Sequence, residues 1–159
     1  MGVVPDIVQS WRNPRGLILG LLPGASEPGA LARLMGACGL IFVSEWPLLA
    51  RQAHLDPTVP LNARIGGGIM GVLFILPLVM YLLAGLSHLI ARAGGGRGTG
   101  LGARLALFQA LLSAAPLFLL NGLVRGLAEP GPGTLAIGLV SLVGFLWIWL
   151  NMLIAVERN

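Results

Sequence analysis

The side chains able to do chemistry are few and far apart. Two histidines, His54 and His88, one cysteine, Cys38, and six carboxylates are spread over 159 residues. Acyl transfer would need a nucleophile with a base beside it, and a zinc site would need three or four closely spaced ligands. No Gly-x-Ser-x-Gly, no His-Glu-x-x-His and no carboxylates paired at helical spacing occur, and a Ser/Lys dyad is ruled out because the chain has no lysine. Cys38 lies alone in an apolar run and reads as a small packing residue. The glycines of Gly94-Gly95-Gly96-Arg97-Gly98-Thr99-Gly100 follow no strand and lack the Gly-Lys-Ser/Thr ending of a phosphate loop, so they read as a flexible connector. The expectation is a protein that is not an enzyme and takes no cofactor and no metal.

The informative polar residues are those inside apolar segments, because a polar group in hydrocarbon is costly without a partner. Depth along each helix puts His88, Gln109 and Asn151 near one membrane face, where they are expected to form a hydrogen-bonded cluster between helices. Glu45 and Asn121 fall near the opposite face. These buried polar groups read either as a proton or ligand site, with Glu45 or His88 titrating, or as ties between helices, and Glu45 alternatively ends a helix at the aqueous boundary.

These residues are positioned by a chain that is 56% hydrophobic and only 10% charged. A soluble globule of this size needs a polar shell that so few charges cannot supply. An all-α, polytopic transmembrane bundle follows, with four spans at about 30–49, 65–91, 101–124 and 134–156. The first is the weakest, because Glu45 interrupts it. Residues 50–64, with Arg51, His54, Asp56, Pro57 and Pro60, read as a polar loop. The second exceeds the hydrocarbon thickness and must tilt, kink or protrude, with Pro77 as the natural kink. Pro116 sits near the centre of the third.

Two regions are expected: an amphipathic segment and linker at 1–29, and the helical domain at 30–159. The longest apolar stretch of the first region, Gly16–Leu22, is too short to span, and the pattern is not that of a signal peptide. Ile7, Val8, Trp11, Ile18, Leu21 and Leu22 recur near a period of 3.6. Pro14 disfavours one continuous helix. Two interfacial pieces, about 6–13 and 14–22, are predicted, with Trp11 at headgroup level.

Small residues mark candidate packing faces. Gly67, Gly71, Phe74, Leu78, Tyr81, Gly85, His88 and Arg92 form one stripe on the second span. Gln109, Ser113, Leu117 and Asn121 align on the third, flanked by Ala106, Ala110 and Ala114. Gly138, Ser141, Gly144, Ile148 and Asn151 nearly align on the fourth. The three stripes are expected to face one another.

All ten basic residues are arginine, and the net charge is +4. They sit at segment ends and not on one face, which argues against nucleic acid and for anionic headgroups. Arg12, Arg15, Arg33, Arg92, Arg97, Arg104 and Arg158 share one side of a four-span topology, against Arg51, Arg64 and Arg125 on the other. That bias puts both termini in the cytoplasm. The abundance of Ala, Gly, Leu and Arg without lysine points to a GC-rich bacterial genome, and a multi-pass chain of such an origin is expected in the bacterial inner membrane.

Three stretches carry a family resemblance. They are Ile7-Val8-Gln9-Ser10-Trp11-Arg12-Asn13-Pro14-Arg15, the long Pro-containing second span, and Gly102-Ala103-Arg104-Leu105-Ala106-Leu107-Phe108 leading to Ala115-Pro116-Leu117. Together they resemble bacterial proteins of the Yip family (Ypt/Rab-interacting-protein-like membrane domains). Family members commonly have five spans where four are counted here, and the tyrosine- and glycine-containing N-terminal signatures of eukaryotic members are not visible. The resemblance implies an all-helical membrane domain with partner-binding or membrane-organising roles and no catalytic residues. The expected partners are the lipid bilayer and a membrane protein or a second copy of the chain. The alternative is a small oligomeric transporter or channel component, for which Pro77 and Pro116 would be mid-membrane breaks.

Overall fold

The computed structural model describes residues 2–159, and every regular element among them is helical. Two short helices, α1 (Val3–Arg12) and α2 (Pro14–Leu21), lead through a single 3-10 turn at Leu22–Gly24 into α3 (Glu27–Leu55). The second span runs from α4 (Leu61–Gly68) through a π-helical stretch (Ile69–Ile75) into α5 (Leu76–Ala93). The last two spans are α6 (Gly100–Leu127) and α7 (Pro132–Arg158). Four helical stretches, of 29, 33, 28 and 27 residues, are long and apolar enough to cross a membrane.

Side-chain caps set several boundaries. Asn13 closes α1 through its own N–H and opens α2 by accepting the Gly16 N–H at 2.9 Å. Pro14 follows at the first helical position, where its missing N–H costs nothing. Ser26 caps α3 through Gly29, and Thr99 caps α6 through Gly102. The split of the N-terminal segment at Pro14 is therefore as the sequence predicts.

Prolines inside the spans are absorbed differently. Pro47 lies within α3, which continues to Leu55, so residues 50–55 and 61–64 are helical and the connecting turn shrinks to Asp56–Pro60. The lone polar loop expected there is mostly helix, because isolated polar residues at a helix end tolerate helical geometry. Pro77 lies two residues past the end of the π-helical stretch. A proline ring clashes with the carbonyl four residues before it, and widening the preceding turns relieves that clash.

The core is organised around α6. Over half of its apolar window is buried, against 11% for the second span. Leu105 to Ala115 are all buried, packed by α3, α5, α7 and the N-terminal helices, and Leu17 and Ile18 of α2 belong to the same core. The tightest approach is between α3 and α6. A Cβ on Gly122 would overlap the Ser44 carbonyl, and one on Gly126 would overlap Pro47. Gly122-x-x-x-Gly126 is thus the pair that admits a neighbouring backbone.

The second span departs from expectation. Cβ atoms built on Gly67, Gly71 or Gly85 meet nothing within 4 Å, and Phe74 and Leu78 are exposed. Of the expected stripe only Tyr81 and His88 turn inward, where they are joined by the buried Pro77 and Ala84, with Tyr81 edge-on to Phe108 at 5.0 Å. The stripes of α6 and α7 do meet. Ser141 Oγ donates to the Ile137 carbonyl at 2.8 Å and reaches the Leu117 carbonyl at 3.3 Å, and Gly144 lies against Leu117.

These two classes of glycine should respond oppositely. Gly122→Ala is expected to lower stability by about 1–3 kcal/mol through overpacking. Gly67→Ala should be neutral or stabilising by up to about 1 kcal/mol through helix propensity. Unfolding in mixed micelles measures both, and equal effects would contradict the assigned α3–α6 crossing.

Candidate functional site

The polar residues inside the bundle separate into three groups. The first joins α1, α3 and α6. Gln109 is fully buried, and its Oε1 accepts Arg33 Nε at 3.0 Å while its Nε2 donates to Ser113 Oγ at 3.2 Å. Ser113 Oγ lies 2.7 Å from Ser10 Oγ, and Ser10 Oγ donates to the Asp6 carbonyl at 2.8 Å. Arg33 Nη1 also donates to the Gly29 carbonyl at 3.1 Å. The next residue of α1, Trp11, donates its indole N–H to the Ser113 carbonyl at 3.0 Å. That bond anchors α1 to α6 one residue past Leu112, whose carbonyl is the one that Pro116, having no N–H, cannot serve.

The second group sits where α5, α7 and the glycine connector meet. His88 Nδ1 lies 2.7 Å from Glu157 Oε1, and both side chains are largely buried. The other Glu157 oxygen accepts the Gly98 N–H at 3.2 Å, and the Glu157 carbonyl accepts the Arg97 N–H at 2.8 Å. Gly96 and Gly98 lie so close that a Cβ on either would crowd Glu157, and Gly95 takes a φ of +91°, which favours glycine. The connector expected to be flexible is therefore pinned over the end of α7. Nearby, Arg104 pairs with Glu27 and stacks over the Tyr81 ring at 5.8 Å.

The third group occupies the opposite end. Arg125 reaches Glu45 at 3.4 Å, and Arg51 donates to the Ala128 carbonyl. Glu45, Ser44 and Asn121 line a cavity of about 240 Å³ between α3, α5 and α6. Asn121 Oδ1 is buried there without a hydrogen-bond partner among the described residues. In the turn beyond α3, Thr58 donates twice to Asp56, through its hydroxyl at 2.5 Å and its N–H at 3.2 Å, and Arg64 approaches at 3.3 Å. These bonds hold the Asp56 carboxyl below its ordinary range.

The residues expected to cluster are thus divided. His88 pairs with Glu157, Gln109 with Arg33 and Ser113, and Asn151 accepts Arg15 Nε at 3.1 Å. Distance along a helix gives depth but not the direction a side chain faces, and α6 has neighbours all round. Glu45 and Asn121 do share one cavity. Ser10, Arg33 and Glu157 join these groups without having been expected there. Ser10 and Ser113 were each visible on a polar face, whereas nothing marked Glu157 as more than a charged end. No set of three or more His, Cys, Asp or Glu side chains is placed to hold a metal ion among the described residues. No family model, curated protein or solved structure matches the chain.

Gln109→Leu is expected to remove the partner of Arg33 Nε and cost about 1–3 kcal/mol, the usual range for a lost hydrogen bond to a charged group. The loss should appear as faster hydrogen exchange in α1 and the first turns of α3. Unchanged exchange in both would show that the network does not hold them.

Proposed function

We propose that this chain is a non-enzymatic, Yip-like multi-pass protein of a bacterial inner membrane, acting through helix contacts as an accessory subunit or membrane organiser. The observation that carries the reading is the second span. It is the least covered of the four, and its Gly67-x-x-x-Gly71 face is open where a partner helix would fit closely. The buried polar groups support the same reading, since most of them tie one helix to another.

The polar contacts support one level for the bilayer boundary. Arg15 with Asn151 and Arg33 with Gln109 mark one level across α2, α3, α6 and α7. About 20 residues of α6 and of α7 then lie between that level and the turn at 128–131, close to the roughly 30 Å of hydrocarbon. The arginine bias supports a cytoplasmic side at this level, with both termini on it. It leaves α1 along the interface, with Val4, Val8 and Trp11 exposed on its apolar side.

A second reading, a small oligomeric transporter or channel component, is favoured by the cavity at Glu45 and the unpartnered Asn121 Oδ1. Solute flux in proteoliposomes that is lost in Glu45→Gln would favour it over the first.

Cross-linking in native membranes, followed by purification in mild detergent, tests the leading reading. A second copy or another membrane protein should be captured through the second span. Gly67→Leu with Gly71→Leu should abolish capture while leaving helicity and thermal stability unchanged. A strictly monomeric, partnerless chain would contradict it.

A further inference from the structure

An apolar groove runs along the outer surface of α6 and α7, lined by Trp11, Leu117, Val140, Val143, Gly144 and Trp147. Its volume is about 750 Å³, and almost no polar surface faces it. One wall is fixed, because the Trp11 indole is held by its bond to the Ser113 carbonyl and lies against Gly144. Any larger side chain at Gly144 would collide with that ring.

The charge at its cytoplasmic end is of one sign. Asn151 lies one turn beyond Trp147 and bonds back to the Trp147 carbonyl at 2.8 Å. Arg15 is held on Asn151, and Arg12 adjoins Trp11. Both guanidinium groups are exposed, and neither pairs with a carboxylate among the described residues. From Asn151 back to Leu139, also on the groove wall, is about 18 Å at about 1.5 Å per residue. That is close to the half-thickness of a hydrocarbon core of roughly 30 Å.

We infer that this groove binds one anionic phospholipid of the cytoplasmic leaflet, with its acyl chain between Trp11 and Trp147 and its phosphate on Arg12 and Arg15. A planar guanidinium suits a phosphate, and Asn151 orients that of Arg15. Gly144 and Pro116 supply the concavity that separates this strip from the rest of the apolar exterior. The two indoles lie at the depth where tryptophan is favoured.

Native mass spectrometry of the full chain tests this, after exchange into micelles holding equal amounts of phosphatidylglycerol and phosphatidylcholine. One phosphatidylglycerol should be retained in preference to phosphatidylcholine. Arg12→Gln and Arg15→Gln should each weaken that preference about fivefold, roughly the worth of one basic residue at an anionic surface. Val140→Phe, which fills the groove and leaves both arginines, should lower occupancy of either lipid. Arg51→Gln with Arg64→Gln, at the other end, should change nothing. Equal retention of the two lipids would overturn the site. So would an equal loss in the Arg51/Arg64 variant, which would mark general charge attraction, or full occupancy in Val140→Phe. Circular dichroism of each variant establishes that the helices are intact.

Discussion

The third span carries groups that hydrocarbon cannot satisfy, and the bundle is arranged around supplying them. Gln109 and Ser113 are fully buried on α6, and Pro116 interrupts its hydrogen-bond ladder. Both side chains are enclosed by protein and shielded from water, so their donors and acceptors need protein partners. Arg33 comes from α3, and Ser10 and Trp11 come from α1. The N-terminal helices are thereby part of the bundle, with Leu17 and Ile18 in its core.

Around that centre the remaining contacts divide by depth. The half of α6 from Gly102 to Ala115 is enclosed on most sides, while the half beyond Pro116 is largely open except where Gly122 and Gly126 receive α3. The His88–Glu157 pair and the glycine connector close one end, and Arg125, Glu45 and Arg51 close the other. Arginines do different work at different places. Arg33 is held inside the network, Arg104 pairs with Glu27 at the edge, and Arg12 has no carboxylate partner among the described residues.

The four spans, the break at Pro14 and the facing of α6 on α7 were all legible, because each follows from one-dimensional signals: hydropathy, proline and small-residue spacing. Azimuth was not. His88, Gln109 and Asn151 have similar depths, yet each turns to a different neighbour. The stripe through Gly67 and Gly71 is as regular as any in the chain, but regular spacing marks a possible face and not the presence of a partner. Gly122 and Gly126 flank Leu123, Val124 and Arg125 near a span end, where a glycine pair looks like the start of a turn. Only the arrival of Ser44 and Pro47 gives them their role. Glu157 was invisible as a buried acid because its burial depends on a connector almost sixty residues earlier.

The central claim is that α1 is seated on the middle helix through Ser10 and Ser113, whose hydroxyl oxygens lie 2.7 Å apart. Cysteines at these two positions, on a Cys38→Ser background, test it in native membranes. The account predicts rapid formation of an intramolecular disulfide under mild oxidant, and none for a pair of cysteines at Val4 and Ser113. Failure of the Ser10–Ser113 pair to cross-link, or equal cross-linking by both pairs, would contradict it.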